Sequence, residues 1–114
     1  MMGKAQKRKG SDFEREIVNW HNNRGCPAKR QPLSGALKGE HGGDLKIGPV
    51  LGYIAECKRR ARAYKDLYDA IAQDDSDILF IRADRKPTLV VLPMATYESL
   101  IQELGWIPKE VGDV

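Results

Sequence analysis

Apolar and polar residues alternate with period two in two short stretches, Asp44–Gly48 and Tyr53–Arg59, separated by Gly48-Pro49-Val50-Leu51-Gly52. Alternation predicts strands, and a Gly/Pro-rich interval predicts the turn that joins them. With Gly48 opposite Gly52, Leu45 pairs with Ala55 and Ile47 with Tyr53 on one apolar face. The same register sets Asp44 across from Glu56, with Cβ atoms about 5 Å apart, and Lys58 one pleat further on. A slip by two residues would preserve that parity.

The period changes elsewhere. Phe13, Ile17, Val18 and Trp20 have helical spacing behind Ser11-Asp12-Phe13-Glu14, which has the form of a capping box, and Gly25 and Pro27 end that helix near Asn23 or Arg24. Lys29 to Ser34 reads as an irregular edge strand, because Pro32 lacks an amide for a ladder. Gly35 to Gly43 holds four glycines with Lys38 and Glu40, and reads as a mobile loop. Tyr64, Leu67, Tyr68 and Ile71 predict an amphipathic helix covering the sheet, broken at Asp74-Asp75-Ser76-Asp77. The continuous runs Ile78–Ile81 and Thr88–Leu92 predict strands buried on both faces, and Tyr97, Leu100, Ile101 and Leu104 a last helix that Gly105 stops. The order is α-β-β-β-α-β-β-α: an α/β (α+β) fold with a mixed sheet and helices packed on it.

Composition narrows the class. The 114 residues, 41% hydrophobic and 31% charged, suit one domain over 11–108 with a modest core, a disordered basic arm over 1–10 and a tail over 109–114. No apolar run has the length of a membrane span, and no signal peptide is expected, so the expected location is the cytoplasm of a prokaryotic cell or phage-infected host. Cys26 and Cys57 match no metal-ligand spacing and read as free thiols in a reducing compartment. The net charge of +3 is mild but uneven: Lys4, Lys7, Arg8 and Lys9 crowd the start, and Lys58, Arg59, Arg60, Arg62 and Lys65 the middle. A charge run usually solvates a surface. The second abuts the acidic pair, which favours a polyanionic partner.

Asp44, Glu56 and Lys58 on one face suit a hard divalent cation beside a phosphate. The plain alternative is a surface ion pair between Glu56 and Lys58, against which Asp44 adds an excess negative charge that a cation would neutralise. Glu14 has an alternative reading as the capping-box acceptor of Ser11, with Glu16 the fallback on the opposite helix side. His21, followed by Asn22 and Asn23, lacks the separated pattern of a His-Asn-His nuclease and is expected to finish a helix. Asp74, Asp75 and Asp77 lack the form of a calcium loop, and Trp20 and Trp106 read as core or interface residues.

Gly10–Glu14 on a helix, Arg30 with Ser34-Gly35, Gly43-Asp44 on one strand and Glu56-Cys57-Lys58 on the next resemble the PD-(D/E)XK nuclease superfamily, whose core is restriction-endonuclease-like. Within it they are most similar to archaeal-type and phage Holliday-junction resolvases. Gly43 stands where the superfamily has proline, and Cys57 is the middle residue of Glu-x-Lys. The resemblance implies that Asp44 and Glu56 ligate Mg²⁺ or Mn²⁺, with the Cys57 carbonyl as a further oxygen ligand and Glu14 reaching in from the helix. Lys58 would orient or help deprotonate the attacking water, and Ser34 would lie beside the scissile phosphate. Lys7, Arg8, Lys9, Arg30, Lys38, Arg59, Arg60, Arg62 and Lys65 are the expected DNA contacts. The implied activity is a Mg²⁺-dependent endodeoxyribonuclease acting on branched or duplex DNA, as a two-fold homodimer because cutting a four-way junction needs two sites. A nicking, restriction-like or repair nuclease, and a non-catalytic DNA-binding module, are the alternatives.

Overall fold

The computed structural model describes residues 4–31 and 44–109, and only the backbone of residues 4–9. Ser34, Lys38, His41 and the glycine-rich loop lie outside the described residues, as do the side chains of Lys7, Arg8 and Lys9. The elements are α1 (Lys4–Asn23), β1 (Ala28–Arg30), β2 (Leu45–Ile47), β3 (Tyr53–Ala55), α2 (Lys65–Gln73), β4 (Leu79–Ile81), β5 (Leu89–Val91) and α3 (Met94–Glu103). The expected order is therefore the observed one. The strands form two antiparallel sheets, β1-β2-β3 and β4-β5, where a single mixed sheet was expected. The chain gathers into two compact units, residues 1–59 with 106–114 and residues 60–105.

In the first unit α1 begins at Lys4, seven residues before the expected cap, so the presumed arm is helical from Lys4 on. Its residues Lys4 to Lys9 are all good helix formers. Ser11 consequently lies inside the helix and caps nothing. The far end is as expected: Gly25 has φ +91°, Gly25 N–H donates to the Asn22 carbonyl (3.1 Å) and Cys26 N–H to that of His21 (2.9 Å). These two bonds are a Schellman motif, in which glycine takes the left-handed position without steric cost.

Ala28 pairs with Ile47 and Arg30 with Leu45; Leu45 pairs with Ala55 and Ile47 with Tyr53, the register expected of the hairpin. Ala28, Leu45 and Ile47 are buried together with Cys26, His21 and Ile107. The Asn22 side chain closes one side of β1, donating to the Ala28 carbonyl (2.9 Å) and accepting the Ala28 N–H (3.1 Å). Tyr53 lies at the margin and packs on Trp106, ring centroids 5.0 Å apart. Gly48, with φ +114°, brings its backbone against both rings, so a Cβ there would meet Tyr53 Cδ2 at 3.2 Å.

In the second unit α2 follows Tyr64, which sits in the left-handed region at φ 64°, and packs on β4. Leu67 and Ile71 are half-buried on that side, while Tyr68 faces solvent. The apolar strands are not buried on both faces as expected: Phe80 is 66% exposed, Leu89 58% and Val90 56%. Phe80 and Val90 pair on one face of this two-stranded hairpin and Leu89 lies on the other, so the continuous apolar run here marks surface as well as core. Among the described residues of this unit Ile101 on α3 is fully buried, and Gly105 at φ +82° ends that helix.

Candidate functional site

The site lies in the first unit, where α1 crosses the β1-β2-β3 sheet. Glu14 falls on the inward stripe of α1 with Ile17, Val18 and His21, at i, i+3, i+4 and i+7. Its carboxylate therefore turns toward the sheet. There Oε1 accepts the Arg30 Nε–H at 2.9 Å, and a second guanidinium nitrogen reaches Ser11 Oγ at 3.4 Å. Arg30 points at α1 because strand alternation puts it on the face that buries Ala28. This pairing replaces the capping-box reading of Glu14. Glu16 is exposed, as its opposite phase requires.

Asp44 sits one residue before β2 and is 6% exposed. Its amide donates to the Ala55 carbonyl (2.8 Å), its carbonyl accepts the Gln31 N–H (2.9 Å), and its Oδ2 accepts the Cys57 N–H (2.9 Å). The aspartate thus ties β1 and β2 to the segment leaving β3. That segment, Glu56-Cys57-Lys58, was expected as strand, but β3 ends at Ala55 and the ladder gives way to this side-chain bond. Lys58 Nζ stands 3.8 Å from Glu56 Oε1 with both side chains about half exposed, a contact worth at most about 1 kcal/mol by itself.

Cys57 is half-buried among acidic neighbours. Burial first, then the negative charges of Asp44, Glu14 and Glu56, push its thiol from the usual 9.0 up to about 11. Helix, strand start and strand end thus each bring an acid into the surroundings of this one thiol, and Lys58 follows it in the chain. The expected site residues Glu14, Asp44, Glu56 and Lys58 all lie in this unit. The donors are carboxylate and carbonyl oxygens, the ligand chemistry of Mg²⁺ or Mn²⁺. Each acid already has an internal partner, however, and among the described residues no three His, Cys, Asp or Glu side chains stand close enough to hold a metal ion.

Of the expected phosphate contacts, Arg59 is exposed in the first unit, and Arg60, Arg62 and Lys65 are exposed in the second. Lys65 is paired with Asp69 one helical turn away. His21 is buried, with Nδ1 2.7 Å from the Ile17 carbonyl oxygen, and has a helix-end role as expected. Trp20 stands edge-on to His21, 4.8 Å between centroids, under the Arg24 guanidinium at 4.1 Å. Sequence spacing missed two features: the Glu14–Arg30 pair, whose members are sixteen positions apart, and the Asn22 clamp on Ala28. The first required knowing where α1 crosses β1. The second was signalled only by an asparagine ahead of a Gly-Cys-Pro turn.

Among the described residues no helix is long and apolar enough to cross a membrane. The family model for the archaeal Holliday junction resolvase (hjc) matches residues 5–68, more than half of the chain and the stretch that carries Glu14, Arg30, Asp44, Glu56 and Lys58. No curated protein and no solved structure matches.

Proposed function

Because the chain belongs to the archaeal Holliday junction resolvase family, we propose that it is a metal-dependent endodeoxyribonuclease that cuts four-way DNA junctions. The observation that supports this reading is the crossing of α1 over the β1-β2-β3 sheet, which turns Glu14 toward the sheet that Asp44 opens, with Glu56 and Lys58 on the segment that the Asp44 side chain holds. Asp44 and Glu56, with Glu14 and the Cys57 carbonyl, would hold Mg²⁺ or Mn²⁺, which when bound acidifies a water and offsets charge on phosphoryl oxygens. Lys58 supplies a compact positive charge beside the scissile phosphate and orients or helps deprotonate the attacking water. Asp44 fixes the Glu56–Lys58 segment through the Cys57 amide, so the acid and the lysine arrive in a set relation. Ser34 would hydrogen-bond a phosphate oxygen.

DNA would be held chiefly through its phosphates, by Arg59, Arg60, Arg62 and Lys65 together with Lys7, Arg8, Lys9 and Lys38, and hence in a salt-sensitive manner. One small chain carries one such site, and paired cuts across a junction call for a two-fold homodimer. Phe80 and Val90, paired on one face of the β4–β5 hairpin, supply exposed apolar surface for it. Ile107, near the C-terminus, is only 3% exposed and belongs to the core.

The deciding experiment is a substrate panel in Mg²⁺ and in Mn²⁺: a synthetic four-way junction, a linear duplex and a flap, with Asp44→Asn as the control. Preferential junction cutting that the control abolishes is the expected result. Equal cutting of duplex or flap would favour a nicking or repair nuclease. Junction binding with no metal-dependent cutting would favour a non-catalytic module, the reading that the internally paired carboxylates support.

A further inference from the structure

The hairpin of the second unit carries a cavity on its side toward α2. Ile81 on β4 and Leu89 on β5 pair there, and α2 packs on β4. The cavity, about 590 Å³, is floored by Leu67, Ile81, Pro87 and Leu89 and edged by Arg82 and Lys86. That volume lies within the range of sites that hold one small organic group. Pro87 and Leu89 are exposed, so the apolar floor is wet. No acid lines the cavity, and among the described residues no carboxylate pairs with Arg82 or Lys86. A neighbouring cavity of about 790 Å³ shares Leu67 and has Arg62 in its lining. Cations therefore stand on both sides of one apolar floor.

That combination selects the occupant. A flat apolar group with an anion on either side is a nucleotide within a strand. In a duplex the base faces are hidden in the stack, and only an unpaired base offers one to apolar side chains. An apolar floor alone would suit a protein side chain equally well, but unpaired cations with no acid among them match a polyanion. We propose that this cavity holds one unpaired base of a DNA strand, its face against Pro87 and Leu89 and its flanking phosphates on Arg82 and Lys86. The inference rests on the nuclease reading above and deepens it, because a branch point is then recognised through a base that has left the stack. Such a base is least costly to expose where pairing is already interrupted.

The test is fluorescence anisotropy of the full chain in metal-free buffer, with labelled oligodeoxythymidine and a linear duplex of equal length. Leu89→Thr leaves the charge unchanged and keeps a residue suited to a strand. It binds the single strand about fivefold more weakly, the low end for one lost base contact, and binds the duplex as wild type does. Pro87→Gln does the same if the threonine variant fails to fold. Arg82→Gln combined with Lys86→Gln lowers the slope of log affinity against log salt for the single strand by about 1.4, about 0.7 for each lost phosphate contact. An unchanged single-strand affinity in Leu89→Thr, or an equal loss for both DNAs, overturns the proposal. So does an acidic peptide bearing one leucine that loses its binding in Leu89→Thr while the single strand does not; the occupant is then a protein. If wild type cuts the junction in Mg²⁺ and Leu89→Thr holds the single strand undiminished, the cavity assignment alone falls. If wild type neither binds nor cuts DNA, the nuclease reading falls with it.

Discussion

Substituting Asp44 separates its structural bond from its chemistry. Among the described residues the side chain makes one bond, Oδ2 to the Cys57 N–H at 2.9 Å, while the two backbone bonds of Asp44 survive substitution by alanine or asparagine. A hydrogen bond to a charged acceptor contributes about 1.5–3 kcal/mol and a neutral one about 0.5–1.5 kcal/mol. Asp44→Ala loses the bond and strands the Cys57 amide, so it costs about 2 kcal/mol. Asp44→Asn keeps a neutral acceptor of nearly the same shape and costs about 1 kcal/mol or less. At about 4 °C per kcal/mol for a domain of this size, the expected falls in Tm are about 8 °C and about 4 °C. Junction cutting drops to background in both variants, because both remove the carboxylate charge. Circular-dichroism melts and a gel assay of labelled junction measure the two effects on the same samples. Asparagine cutting at the wild-type rate would refute the site, and an alanine variant melting with wild type would refute the role given to the Cys57 bond.

Lys58→Ala should depress the single-turnover cutting rate while leaving Mn²⁺ binding intact; a calorimetric signal lost with the lysine counts against its role as a charge beside the phosphate. Gly48→Ala should cost about 1–3 kcal/mol, since φ +114° is strained for any Cβ and Tyr53 stands 3.2 Å from it, as urea titration would register. His21 is held below the usual 6.5 by burial, partly countered by its Ile17 bond and reinforced by Arg24. The unfolded chain therefore binds the proton first, and stability present above pH 6.5 is lost as pH falls through the folded value. His21→Asn should flatten that loss in melts taken from pH 7.5 to 5; an unchanged slope would assign the acid sensitivity elsewhere.

The sheet that carries the site was legible because its pattern is local. Leu45, Ile47, Tyr53 and Ala55 alternate around a glycine-bounded turn, and that alone set the observed register. The α1 terminus was legible for the same reason, with Gly25 marking the left-handed position. Its start was misplaced because Lys4 to Gly10 was judged by charge, where the propensities of lysine, alanine, glutamine and arginine already favoured helix. The hairpin strands were expected inside on the strength of continuous hydrophobicity, which measures how apolar a segment is and not what covers it. Glu14 shows the limit of spacing rules most clearly. Ser11 and Glu14 fit a cap, yet the acid faces a guanidinium from another element, and only the crossing of helix and strand decides between the two.

Asn22 has a consequence beyond the core it helps close. A side-chain amide offers an N–H donor beside a carbonyl acceptor, the same pair that a neighbouring strand would offer, and here that pair is spent on Ala28. The outer border of the three-stranded sheet is thereby denied to another molecule's backbone at that residue. Border strands are the places where sheets recruit one another into aggregates. Here a single asparagine, borrowed from the preceding helix, acts as the stopper.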